Sequence, residues 1–301
     1  MHEPVLLKEV LEIFDPKPGQ TYIDATVNGG GHARAIAERV GSAGKVIGMD
    51  WDCDIIEESR IRNQELGITN IDFTCDTYTH MAPVARERNV KGVHGVLFDL
   101  GFSSYHPDRS GRGFSFSKDE PLDMRYHREK RAGERSRPTA ADIVQRWSEK
   151  ELSDIFIRFG QERFARRIAA RIIAERQNMR ITSSKQLADV IRRAYPKSAR
   201  SGRIHPATRV FQALRIAVND ELTSLAEALP QAVSLLSPGG TIAVIAFHSL
   251  EDRIVKTYMR EQEKAGTIKI LTKKPIRPGQ EEIRSNPRAR SAMLRAAVKN
   301  T

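Results

Sequence analysis

The stretch that most constrains this chain is Ile23-Asp24-Ala25-Thr26-Val27-Asn28-Gly29-Gly30-Gly31-His32, followed by helix-forming residues from Ala33 to Val40. A short apolar approach, a carboxylate, consecutive glycines and then a helix start bring backbone close to a nucleotide-like ligand at the edge of an α/β sheet. The same glycines also suit a plain tight turn, so their meaning depends on what stands at the ends of the neighbouring strands.

Tyr22-Ile23-Asp24 reads as the first strand, reached through a lead-in helix over 5–14 and the turn Asp15-Pro16-Lys17-Pro18-Gly19. Lys45-Val46-Ile47-Gly48-Met49-Asp50 reads as the second, ending in an acid 19 residues beyond Gly31. An acid at that tip can accept both ribose hydroxyls of an adenosine held over the glycine loop. A dinucleotide site is not supported, because counting G-x-G-x-x-G from Gly29 puts Arg34 where a third small residue must pack against the strand. The Gly-Lys-Ser/Thr ending of a phosphate loop is also missing. The third strand, Asn70 to Cys75, leads to Tyr78, which either flanks an adenine or simply packs. The fourth, Val93 to Asp99, ends in a carboxylate that faces the mouth of the sheet or caps the next turn.

After Ser104 the alternation of strand and helix stops for about a hundred residues. A loop over 108–125 and the charged run Arg128 to Arg137, read as mobile, precede helices at Ala140–Trp147, Ser148–Phe159, Glu162–Gln177 and Ser184–Tyr195. Ser148 and Glu151 form a capping-box pattern, and Gly160 closes that helix. The apolar stripes of these segments must bury against one another, which makes 105–206 an inserted all-helical domain. A long helix from Ala207 to Leu229 is expected to return to the sheet. Pro238-Gly239-Gly240 then introduces a buried fifth strand over 241–247, and Gly266–Leu271 with Ser291–Val298 suit an antiparallel pair. The expected core is therefore 1–104 plus 207–301.

Charge is unevenly spread: residues 1–104 carry net −6, 105–206 net +11 and 207–301 net +6. Such asymmetry favours a polyanionic partner, and nucleic acid suits it better than an anionic membrane, because Trp147 and Phe164 form no amphipathic stripe. No apolar run reaches the ~20 residues of a membrane span, and the start carries no secretion signal, so the expected location is cytoplasmic. Cys53 and Cys75 have no His or Cys at ligand spacing, which predicts no metal site and two buried reduced thiols.

Two function classes fit these observations: an S-adenosylmethionine-dependent methyltransferase acting on nucleic acid, and a non-catalytic, nucleotide-responsive RNA-binding protein. Asp99 followed by Phe102 favours the enzyme. An exocyclic base amine has a delocalised lone pair, and transfer to it is helped when a carboxylate accepts its hydrogen while an aromatic ring holds the base out of its stack. His248, after strand five, suits holding that loop as well as touching substrate. Arg288, Arg290 and the arginines of 158–203 are candidate phosphate contacts.

Several blocks carry a family resemblance. Asp24 to His32, Asp99-Leu100-Gly101-Phe102-Ser103-Ser104, Arg112-Gly113-Phe114-Ser115-Phe116 and Pro121-Leu122-Asp123-Met124-Arg125 resemble the bacterial MraW/RsmH methyltransferases. So do His205 to Arg215, Phe247-His248-Ser249-Leu250-Glu251-Asp252-Arg253 and Asn286-Pro287-Arg288-Ala289-Arg290-Ser291. The resemblance implies a Rossmann-like methyltransferase core interrupted by a basic helical substrate-recognition domain. It implies methylation of the N4 amine of a cytidine in the decoding centre, the P-site region, of 16S ribosomal RNA. The small ribosomal subunit is the expected partner, a homodimer is an option, and DNA is the alternative nucleic-acid substrate. It further implies Gly30, Gly31, His32, Asp50, Tyr78, Asp99 and His106 as contacts to S-adenosyl-L-methionine, while Asp99 is the expected catalytic residue on the strand-end argument above. The chain departs from the family pattern at Asn28, where glycine is usual, at Ala33 for Ser, at Tyr78 for Phe, at Tyr105-His106-Pro107 for Pro-Gln-Leu, and at Met293 for Lys.

Overall fold

The computed structural model describes residues 4–101, 103, 105–127, 137–200 and 205–301, so Phe102 and the 128–136 part of the charged run lie outside the described residues. The chain divides into two compact units, Met1–Ser103 with Leu222–Thr301 and Ser104–Glu221.

The first unit is built on a seven-stranded sheet. Its strands are β1 (Thr21–Asp24), β2 (Lys45–Asp50), β3 (Ile71–Cys75), β4 (Val93–Asp99), β5 (Leu236–Ala246), β6 (Ile268–Ile270) and β7 (Met293–Lys299), in the order β3-β2-β1-β4-β5-β7-β6. The first five pair in parallel, while β7 runs antiparallel to both β5 and β6. Both faces are covered, which is why the parallel strands read as unbroken apolar runs. Ile23, Ile47, Val96, Phe98 and Val244 join one core, and their strand neighbours Tyr22, Val46, Leu97 and Ala243 join the other. The period of two thus divides each strand between two layers. Among the described residues no helix is long and apolar enough to cross a membrane.

Two local expectations are corrected in this unit. Strand β5 begins at Leu236, ahead of Pro238-Gly239-Gly240, and absorbs those residues as an irregularity: its partners on β4 step from Val93 to Gly95 while β5 steps from Leu236 to Thr241. Cys53 and Cys75 form a disulfide with their Cα atoms 5.0 Å apart, and both are half-buried. The sheet explains this pairing. Asp50 at the end of β2 stands opposite Cys75 at the end of β3, and the Cys53–Glu65 helix starts three residues beyond Asp50.

The second unit is helical, with helices Ala140–Arg146, Glu149–Arg158, Ala165–Arg176, Ser184–Ala194 and Thr208–Asn219 around one apolar core. Capping boxes open three of them, at Thr139/Asp142, Ser148/Glu151 and Ser183/Gln186. The long helix expected over 207–229 is two helices, Thr208–Asn219 and Glu221–Leu235, separated by Asp220 in the left-handed region at φ 52°. The first of the two packs in the helical unit through Val210, Phe211 and Leu214 and does not return to the sheet. The break is held by side chains: Asn219 donates to the Met124 and Arg215 carbonyls, and Arg215 forms a two-bond pair with Glu221. Burial of that pair is tolerable because both partners are hydrogen-bonded.

Candidate functional site

The site is assembled by the ends of β1, β2 and β4. Past Asp24, the Ala25 amide donates to the Leu97 carbonyl and the Val27 amide to Met49, so the chain leaves β1 still pinned to both neighbours. It then turns sharply. Asn28 and Gly30 both take positive φ, 55° and 74°, and Gly30 becomes the N-cap of the Gly31–Val40 helix. Side chains are excluded nearby: a Cβ on Gly31 would meet Pro4 at 2.9 Å, and one on Gly48 would meet Val27 at 2.9 Å.

Asn28 is the hub of this loop. Its backbone amide donates to Asp50 Oδ2 at 2.9 Å, and its side-chain amide donates to the Asp99 carbonyl at 2.7 Å. Asn tolerates the left-handed region better than most residues, and here its side chain also uses that geometry to join two strand ends. The other oxygen of Asp50 accepts the Asp52 amide, which fixes the carboxylate rotamer.

Three carboxylates converge here. Asp24 and Asp99 are buried, and Asp50 is partly covered. Burial pushes Asp99 up to about 7; the Asn28 hydrogen bond opposes this, and the nearby charges of Glu251 and Asp50 add to it. Burial likewise pushes Asp50 to about 7 against the amides of Asn28 and Asp52, with the Asp52 charge raising it further. Asp24 is raised well above the usual range, again by burial first, with the amides of Thr26 and Ala33 opposing and Asp99 and Asp50 adding. One oxygen of each buried acid, Asp24 Oδ2 and Asp99 Oδ1, accepts no hydrogen bond. Buried acceptors of this kind call for a donor from a ligand, and an amine or ammonium group satisfies both the missing hydrogen bond and the excess charge.

The positions expected from the sequence fall as follows. Gly30, Gly31, Asp50 and Asp99 are brought to one end of the sheet. His32 is buried at 4% exposure, its Nε2 donating to the Val5 carbonyl at 3.0 Å and its Nδ1 facing Asp99 Oδ2 at 3.7 Å. Tyr78 lies in the turn after β3, edge-on to Phe98 at 5.6 Å, half-exposed beside the same strand ends. His106 belongs to the helical unit, where its ring is buried edge-on against Phe114 and Tyr126, each 4.9 Å away. His248 holds its loop: Nδ1 accepts the Glu251 amide, and Glu251 in return accepts the amides of Phe247 and His248. Arg288 and Arg290 stand exposed on the 3-10 turn Pro287–Ser291.

Asp24 and Glu251 are not among the positions expected from the sequence. Glu251 carries a sequence signal, since a polar residue followed three positions later by Glu, just after an apolar run, marks a helix start.

The sequence profile of the MraW methylase family matches residues 1–300. A protein of Geobacter sulfurreducens named ribosomal RNA small subunit methyltransferase H is 45% identical over 313 residues, covering 99% of this chain and 98% of its own. Proteins of the same name from Persephonella marina and Heliobacterium mobile are 44% and 42% identical, each covering at least 98% of both chains. Among solved structures, an rRNA methylase from Streptococcus thermophilus aligns over 100% of this chain and 99% of its own, at 10% identity and a TM-score of 0.48.

Proposed function

Because this chain belongs to the MraW methylase family, we propose that it uses S-adenosyl-L-methionine to methylate the N4 amine of a cytidine in the decoding centre of 16S ribosomal RNA. When bound, the cofactor supplies an electrophilic methyl group. The residues of the first unit fit such a ligand: the Gly30–Gly31 turn lets it approach the backbone, Asp50 accepts from ribose, and the unsatisfied oxygen of Asp24 suits an amine donor.

The observation that carries the reading is Asp99. Its buried, unpartnered Oδ1 stands at the end of β4, and burial raises its carboxyl to about 7, so at neutral pH a substantial fraction is ionised and can accept a hydrogen. An aromatic exocyclic amine is a poor nucleophile because its lone pair is shared with the ring. By accepting one N–H hydrogen, Asp99 returns electron density to N4 as the new C–N bond forms, and it takes the proton that the amine sheds. Asn28 holds the Asp99 backbone in place for this work. The arginine-rich helical unit would position RNA through phosphate contacts, which fix register and leave the choice of base to the site.

The test is transfer of label from methyl-labelled S-adenosylmethionine to small ribosomal subunits. Wild-type protein is expected to label the RNA, and Asp99→Ala, folded by circular dichroism, should lower single-turnover transfer about a hundredfold or more. Label in DNA or protein, or wild-type turnover by the variant, would overturn the reading. Cofactor affinity of the same variant, measured by calorimetry, separates loss of chemistry from loss of binding.

A further inference from the structure

The helical unit does not account for all of the positive charge, because residues 222–301 carry net +6 of their own. Part of that surplus converges on one cavity of about 280 Å³ in the sheet unit, between the Ser249–Lys264 helix and the β6–β7 hairpin. Lys256 and Arg260 enter from successive turns of the helix, Lys273 from the segment after β6, and Arg295 from β7. Met259 and Ile270 add apolar lining.

The local charges do not cancel. Arg295 is buried and held by a two-bond pair with Asp252, at 2.6 and 3.2 Å, so that charge is compensated. Among the described residues Glu263 is the one acid lining the cavity, and its Oε1 already accepts the Ile270 amide. Lys256, Arg260 and Lys273 make no ion pair among those same residues. Three cations against one engaged carboxylate leave an excess of about two charges around a concave space, and like charges at i and i+4 on the helix weaken it. An anion seated between them removes both penalties.

We infer that this cavity is a phosphate-binding site for the RNA backbone, a second anchor carried by the sheet unit itself. The inference rests on the RNA-methylating function proposed above. The helix begins at the mouth end of β5, and at 1.5 Å per residue Lys256 and Arg260 stand about 10 and 16 Å along it from Ser249. A strand whose target base reaches the mouth would therefore meet these side chains a few nucleotides away. Such contacts set the register of the RNA and carry no base preference.

The experiment measures binding of full-length protein to 16S ribosomal RNA as a function of salt, for wild type, a Lys256→Glu/Arg260→Glu/Lys273→Glu variant, and a control with the same change of net charge at exposed Lys8, Arg86 and Lys91. Cofactor calorimetry on each confirms folding. The cavity variant should lower the slope of log K against log salt by about one to two relative to the control, because each lost phosphate contact removes roughly 0.7 to 0.9. Equal slopes for the two triple variants would overturn the inference. A parallel titration with inorganic pyrophosphate distinguishes the source of the phosphate: pyrophosphate binding lost in the cavity variant with an unchanged RNA slope would mark a site for a free phosphorylated molecule and refute the RNA assignment. Failure of wild type to methylate RNA would count against the proposed function, whereas normal wild-type methylation with equal slopes would count against the cavity alone.

Discussion

Replacing Asp99 by Asn should stabilise the ligand-free protein while removing its transfer activity. Asp99 is 2% exposed and its carboxyl is raised from the ordinary 3.8 to about 7, first by burial. Below pH 3.8 both folded and unfolded chains hold the proton and nothing is lost. Between 3.8 and about 7 the unfolded chain ionises first, so stability falls as pH rises, and above about 7 the full penalty is present. A rise of about three pH units at about 1.4 kcal/mol each amounts to about 4 kcal/mol. The amide introduced by Asp99→Asn would be neutral throughout and nearly isosteric. The stability gap between variant and wild type should therefore grow from about 2 kcal/mol at pH 5 to about 4 kcal/mol at pH 8. The chain has two tryptophans, with Trp51 in the sheet unit and Trp147 in the helical one. Urea unfolding followed by Trp51 fluorescence in a Trp147→Phe background reads the relevant unit alone. A gap that stays constant with pH, or a variant less stable than wild type at pH 8, would refute the claim that Asp99 is held against its own solvation.

Three further perturbations test the cleft. Asn28→Gly removes left-handed strain of about 1 kcal/mol but leaves the buried Asp99 carbonyl without its donor, a cost of about 1–3 kcal/mol, so a net destabilisation and weaker transfer are expected; a neutral or improved variant would show that the side-chain bond is dispensable. Asp50→Ala should weaken S-adenosylmethionine binding in calorimetry by at least about tenfold, and unchanged affinity would reject ribose recognition by this residue. The Cys53–Cys75 bridge spans 22 residues, so its reduction should destabilise the sheet unit by about 3 kcal/mol. Thiol titration of the unfolded chain should find no free thiol before reduction and two after it, and two thiols beforehand would contradict the bridge.

Much of this architecture can be read from the chain because local chemistry and tertiary context agree. The parallel strands are apolar runs that end in acids, and Ser148/Glu151 marks a helix start that the fold keeps. What cannot be read depends on neighbours distant in sequence. Cys53 and Cys75 look like isolated thiols until β2 and β3 are set side by side. The periodic apolar pattern across 207–229 hides a break at Asp220, because the residues that stabilise it include Met124 from a different segment. In the cleft, the strand-end acids Asp50 and Asp99 follow from the α/β pattern, whereas the placement of Asn28 between them depends on a backbone turn that only the fold defines. His32 is a similar case: its place in the glycine loop is evident from the chain, whereas its packing against Val5 and Asp99 is defined only by the fold.

The proposed chemistry stands or falls on which atom receives the methyl group. Small ribosomal subunits incubated with this protein and methyl-labelled S-adenosylmethionine, followed by nuclease digestion and mass spectrometry of the nucleosides, identify that atom directly. A single N4-methylated cytidine mapping to the decoding centre of 16S ribosomal RNA is expected, absent when Asp99 is replaced by Ala. Label on a ring carbon, on a ribose oxygen or on another base would contradict it.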